Sequence, residues 1–262
     1  KPGANSILGA ELAARAAPDG YTFLTVIGAH AANATLYAGR LPYDVVKSFS
    51  PVSLVGIAPL VMTVNNNLPV KDVKDLLAYT KANPGKVSFG SSGVGAAAHL
   101  TQELFKQNTG ADIAHVPYKG TAPAMNDLMG GQIDLLCDQT TNTTSQIEGK
   151  SVKGFAVTTM KRLTTPALKG LPTLDESGLK GFEVTIWHGM YAPKGTPSDV
   201  SGKINAALKV ALKDPEFIKK QQALGAVIVT DKRSDMVEHK KFVSAEIAKW
   251  GPIIQAAGVY AD

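Results

Sequence analysis

Val87-Ser88-Phe89-Gly90-Ser91-Ser92-Gly93-Val94-Gly95-Ala96 is the stretch on which the fold turns. Residues 87–90 read as a short strand, and 96–109, closed by Gly110, read as the helix that follows it. A strand running through a glycine-rich loop into a helix is the repeating unit of an α/β protein. In such a loop the backbone N–H groups converge on a helix N-terminus. Glycine permits close approach there, and the helix dipole favours an anion. Ser91 and Ser92 add hydroxyl donors, so Ser91, Ser92, Gly93, Val94, Gly95 and Ala96 are the first candidates for a ligand site. The competing reading is a tight strand–helix turn that holds nothing.

Outward from this loop the two kinds of element keep alternating, which predicts an α/β chain with mixed, mostly parallel sheets. Toward the N-terminus, 7–17 reads as a helix with Leu8, Leu12 and Ala16 on one face, stopped by Pro18-Asp19-Gly20. Strands are expected at 21–27, 49–55 and 59–64, with a short helix beginning near 35–37. Val73, Leu76, Leu77 and Thr80 recur at helical spacing within 70–82. Toward the C-terminus, 114–117, 133–138, 154–158, 182–192 and 227–229 read as strands. Helices are expected at 122–129, after Pro193-Lys194-Gly195-Thr196-Pro197 as far as Leu212, at 214–222 and at 234–257. The polar run 139–144 reads as a strand exit, and 162–180 as loop. No Gly/Ser linker divides the chain, so two lobes would have to share strands.

Composition narrows the function. The 262 residues are 44% hydrophobic and 19% charged, a globular balance that excludes disorder. No apolar run reaches the ~18–20 residues that cross a bilayer. The net charge of +5 is modest. Eleven Lys/Arg alternate with eight Asp/Glu over 191–262, so no basic stripe points to nucleic acid. The single cysteine, Cys137, lies in an apolar run and reads as a buried thiol. The histidines at 30, 99, 115, 188 and 239 show no metal-ligand spacing.

Three enzyme motifs fail on inspection. Gly93-Val94-Gly95-Ala96-Ala97-Ala98 fits a relaxed dinucleotide pattern, but His115-Val116-Pro117-Tyr118-Lys119 offers no acidic partner after the next strand. A hydrolase elbow from Gly90 and Ser92 needs glycine where Val94 stands. Gly149-Lys150-Ser151 lacks the first Walker glycine, which is Thr144. Three residues keep two readings each. His99 either faces the pocket or is structural. Asp138 either meets a ligand at the carboxyl edge of a sheet or caps a turn. Trp187 either packs the core or walls a cleft.

Several segments together resemble the substrate-binding receptors of tripartite tricarboxylate transporters, the TctC or Bug family. They are Lys1-Pro2-Gly3-Ala4-Asn5 with Gly9-Ala10-Glu11, Ala17-Pro18-Asp19-Gly20-Tyr21-Thr22, Phe49-Ser50-Pro51-Val52, and Gly90–Gly95 with His99-Leu100. Val116-Pro117-Tyr118-Lys119-Gly120, Gly131-Gln132-Ile133-Asp134, Trp187-His188-Gly189, 192–197 and Ala257-Gly258 complete the series. The resemblance implies a two-lobed, type II periplasmic binding protein-like fold with an interlobe cleft and no cofactor. It implies a periplasmic, monomeric receptor that hands a small carboxylate to a membrane permease, without nucleic acid or membrane insertion. The ligand carboxylate would be held by backbone groups and waters rather than by arginine.

On that reading lobe one holds 1–65 and 184–262 and lobe two 66–183, hinged near 61–65 and 182–191. The ligand-binding set adds His30, Ala31, Tyr118, Gly120, Thr121, Asp138 and Trp187 to residues 91–96. The family begins with a strand, loop, helix and strand ahead of the segment matching Lys1. Their absence would leave unpaired backbone beside 21–27. A small α/β enzyme, either a nucleotide-dependent oxidoreductase or an acyl hydrolase, is the alternative.

Overall fold

The structure is a computed structural model and describes residues 4–258. The chain packs as two compact units. One is built from residues up to Ile57, Trp187–Gln221 and the chain from Val227 onward; the other from Ala58–Ile186 and Gln222–Ala226.

In the first unit, α1 (Ile7–Ala14) leads to β1 (Leu24–Ile27) and α2 (Ala29–Leu36). The strand β2 (Phe49–Val64) begins here. After the second unit the chain returns through β7 (Thr185–Pro193), α7 (Ser198–Ala211), α8 (Pro215–Ala223), β8 (Val227–Ile228) and α9 (Met236–Ala257). β1 pairs antiparallel with β7, Leu24 opposite Tyr191, and Gly56–Ile57 of β2 pair antiparallel with β8. α2 packs on α9, whose inward face carries His239, Val243, Trp250 and Ile254 at helical spacing. The core is aromatic: His30, Tyr43, Phe49, Trp187, Tyr191 and His239 lie together among Val26, Val45 and Val243. Contrary to expectation, α1 turns Ile7, Ala10 and Ala13 inward and leaves Leu8 and Leu12 exposed. Its two alanines form a narrow inner stripe that allows close packing.

In the second unit the far half of β2 pairs antiparallel with β5 (Leu135–Gln139) and β6 (Lys153–Val157). β3 (Val87–Ser91) lies between β5 and β4 (Ile113–Pro117), parallel to both. The helices are α3 (Val73–Ala82), α4 (Ala97–Thr109), α5 (Thr121–Met129) and α6 (Thr140–Glu148). α3 starts where the Asp72 carboxylate accepts from the Asp75 amide at 2.8 Å, and α4 ends at Gly110 in the left-handed region. The sheet is mixed, but its parallel part is confined to β3, β4 and β5. The antiparallel share exceeds the expectation because β2 runs antiparallel to β5, β6 and β8, and β7 antiparallel to β1.

Two element assignments change. The strands expected at 49–55 and 59–64 are one strand, β2, because Gly56 and Pro59 sit inside it without breaking it. The run 139–144, expected as a strand exit, opens the helix α6.

Candidate functional site

Three parallel strands, β5, β3 and β4, each end by turning directly into a helix: β5 into α6, β3 into α4, β4 into α5. Three helix N-termini therefore gather at the carboxyl edge of one small sheet, where α/β folds place ligands. Of the sequence candidates, residues 91–96, Tyr118, Gly120, Thr121 and Asp138 all fall at these junctions.

The β3–α4 junction is glycine-built for a geometric reason. Gly93 (φ 138°) and Gly95 (φ 79°) hold backbone conformations that side chains resist, and a Cβ on Gly90 would lie 2.4 Å from Ile133 Cδ1. Inside the loop most polar groups are already committed. The Ser91 hydroxyl lies 2.6 Å from His115 Nε2, donates to the Gly93 carbonyl at 3.1 Å and receives the Gly93 amide at 3.2 Å. Ser91 is wholly buried and its hydroxyl braces the loop from behind. The Gly95 amide donates to His99 Nδ1 at 3.0 Å and the Ala96 amide to the Gly93 carbonyl at 3.2 Å. Ser92, partly exposed, and the amides of Val94, Ala97 and Ala98 have no partner among the described residues. These are the donors left open, and Ala96, the residue at the helix cap, supplies no side-chain acceptor to quench them.

The neighbouring candidates are mostly spent on structure. The Tyr118 hydroxyl donates to Asp127 Oδ2 at 2.7 Å, which, after burial, keeps its proton on up to about 12. Gly120 (φ 115°) turns the chain into α5. Thr121 bonds the Asp138 carboxylate, which also accepts the Gln139 amide at 2.7 Å. Asp138 is 5% exposed, and burial raises its pKa against those hydrogen bonds. It ties the start of α5 to the end of β5 rather than offering a donor to an anion.

In the other unit, His30, Ala31 and Trp187 are buried in the core. His30 is 1% exposed with Nε2 3.1 Å from the Val45 carbonyl, and burial lowers its pKa to about 4. The Ala31 amide is taken by the Gly28 carbonyl at 3.0 Å. Trp187 is fully buried and donates to Glu246 Oε2 at 3.1 Å, so the core reading of Trp187 holds.

Sequence reasoning missed His115, whose ring stacks on His99 with centroids 3.9 Å apart and planes 11° from parallel. No spacing rule links a residue on β4 to one on α4, so no sequence signal would have found it. Among the described residues no cluster of His, Cys, Asp or Glu is placed to hold a metal, and no helix is long and apolar enough to cross a membrane.

The donor-lined junction is matched by what the whole chain resembles. Residues 1–259 fit the family model described as "Tripartite tricarboxylate transporter family receptor". The chain belongs to this family. A protein of Agrobacterium vitis, "UPF0065 protein in the TAR-I ttuE-ttuC' intergenic region", is 42% identical over 98% of this chain and 73% of its own length. Among solved structures, the periplasmic binding protein BugD is 42% identical with a TM-score of 0.92, covering all of this chain and 86% of that one. An R. palustris protein solved with adipate is 34% identical with a TM-score of 0.89, covering 96% and 83%. MatC from Rhodopseudomonas palustris, with bound malate, is 30% identical with a TM-score of 0.89, covering 96% and 85%. The family resemblance and the α/β binding-protein fold read from the sequence are correct. The family's members and these neighbours are solute-binding proteins, which sets the enzyme alternative aside.

Proposed function

We propose that this receptor captures a small dicarboxylate in the extracytoplasmic space and delivers it, as a monomer, to the permease of a tripartite transporter. The observation that carries the reading is the β3–α4 junction. It presents the Ser92 hydroxyl and the unpartnered amides of Val94, Ala97 and Ala98 at a helix N-terminus. A carboxylate offers acceptors only, and this surface offers it donors: one hydroxyl and three backbone amides. Hydrogen bonds to a charged group contribute roughly 1.5–3 kcal/mol each, so a few suffice for tight capture without an ion pair. No arginine lies between Arg40 and Arg162, so a guanidinium clamp is not supplied by the strands and helices around this junction. The likeness to proteins solved with adipate and malate favours a ligand with two carboxylates over one with a single acid group.

Calorimetric titration with malate, adipate and citrate, and with malonamide as a neutral control, tests this. At least one carboxylate should bind stoichiometrically and be recovered unchanged, while the diamide gives no heat. Failure of every carboxylate, or chemical turnover of one, would sink the proposal.

A further inference from the structure

We infer that His99 is the positioning residue of the carboxylate loop, holding the Gly95 amide so that Ser92 and the first amides of α4 stay open for a ligand. The inference rests on the function proposed above. His99 occupies the third position of α4, the place from which a Glu or Gln side chain ordinarily reaches back to cap a helix start. Here an imidazole does so, its Nδ1 accepting the Gly95 amide at 3.0 Å. A glutamate could accept the same amide, but it would put a negative charge where an anionic ligand must sit. A neutral ring satisfies the amide and leaves the helix dipole free.

The surroundings fix both the tautomer and the position of the ring. With Nδ1 accepting, the ring proton sits on Nε2, which faces Glu103 Oε1 at 3.8 Å; Glu103 is in turn held by Lys106 at 3.2 Å. The opposite face lies on His115, whose Nε2 holds the Ser91 hydroxyl. One stacked pair of rings thus grips both ends of the loop, Ser91 through β4 and Gly95 through α4. Glu103, Lys106 and His115 are the titratable groups placed around His99. His99 itself is 5% exposed and makes its polar contacts with the loop and with Glu103, so it acts through the loop and not on the ligand.

The test compares the parent with His99→Leu and His99→Asn, in which the Asn oxygen can take the place of Nδ1 as an acceptor. Each is titrated with malate, or with whichever dicarboxylate the parent accepts, and its Gly95 amide is followed by NMR hydrogen exchange. His99→Leu should bind about tenfold more weakly or worse, with the Gly95 amide exchanging faster. His99→Asn should stay within about threefold of the parent with that amide protected. Nitrogen spectra of the parent should show His99 protonated at Nε2 and bare at Nδ1. Any folded variant that binds like the parent while its Gly95 amide exchanges freely overturns the inference, even if His99→Leu does not fold. So does an Asn variant as weak as the Leu variant. A parent that binds no carboxylate removes the functional reading itself, whereas a binding parent with an indifferent His99→Leu removes only this inference.

Discussion

His30 and His239 flank Tyr191 in the first unit, at 5.3 and 4.9 Å between ring centroids; His99 and His115 stack on each other in the second. All four rings have pKa values pushed down to about 4, chiefly by burial, so titration alone does not tell them apart. Their hydrogen bonds do. Among the described residues both nitrogens of His239 and the Tyr191 hydroxyl are buried without a hydrogen-bond partner, and the hydrogen bond of His30 runs to a backbone carbonyl of its own core. The rings of the second unit spend their nitrogens on a glycine loop at the edge of a sheet. Displaced proton affinity therefore marks burial, and what the nitrogens hold is what separates the two pairs.

The broadest way to test the comparison is acid. Each ring is neutral in the folded state and would titrate near 6.5 in the unfolded chain, which therefore binds more protons between pH 6.5 and 4. Stability is complete above about pH 6.5 and is lost as the pH falls toward 4. For His30, 1% exposed, the shift from 6.5 to about 4 corresponds to roughly 3 kcal/mol. Melting temperature followed by circular dichroism should fall steadily over that range. A flat profile would mean that the rings are hydrated and that burial does not unite them.

Next in size is Ser92→Ala, which removes an open donor without touching the core. Dicarboxylate affinity should drop about ten- to a hundredfold with the melting temperature unchanged. Equal affinity would move the site away from the β3–α4 junction. Smallest is His239→Leu in the first unit. Removing two unpartnered nitrogens from an apolar core should change stability by less than about 1 kcal/mol and leave affinity alone. A loss above about 2 kcal/mol would show that those nitrogens hold a partner, such as an ordered water, and would narrow the contrast.

The elements legible in the sequence were those with a period and a stop. α3 to α5 and α9 carry apolar stripes ended by glycine or opened by a capping side chain, α7 starts after Pro197, and all lie where the pattern puts them to within a few residues. α6 was not legible, because Thr140-Thr141-Asn142-Thr143-Thr144 has low helix propensity and no apolar stripe. It is helical because Thr140, Thr143 and Thr144 are buried, and the hydroxyls of the last two bond back to carbonyls four residues earlier. α2, of which only the far end was expected, is an alanine-rich helix set by packing on α9. For the site, the junction itself was readable from its glycines. Which of its serines remains free was not, because Ser91 is claimed by His115 across the β3–β4 pairing. Nor were the acceptors legible that engage Tyr118, expected in the ligand-binding set, and Trp187, open between core and cleft: Asp127 and Glu246.

The way each unit draws on the chain also sets an order of assembly. The unit with the glycine loop is nearly one uninterrupted run, Ala58–Ile186, completed by Gln222–Ala226. The aromatic unit is stitched from three separated stretches, and among the described residues Leu24 of β1 pairs with Tyr191 of β7, far later in the chain. Contacts between residues far apart in sequence form late and at greater entropic cost. As the polypeptide is made from its N-terminus, Val26 and Phe49 are committed to a core whose later walls, β7, β8 and α9, have not yet been synthesised. The half that holds the loop can close early, while the half that surrounds Tyr191 stays open, with apolar surface in water, until the residues beyond Val227 are in place.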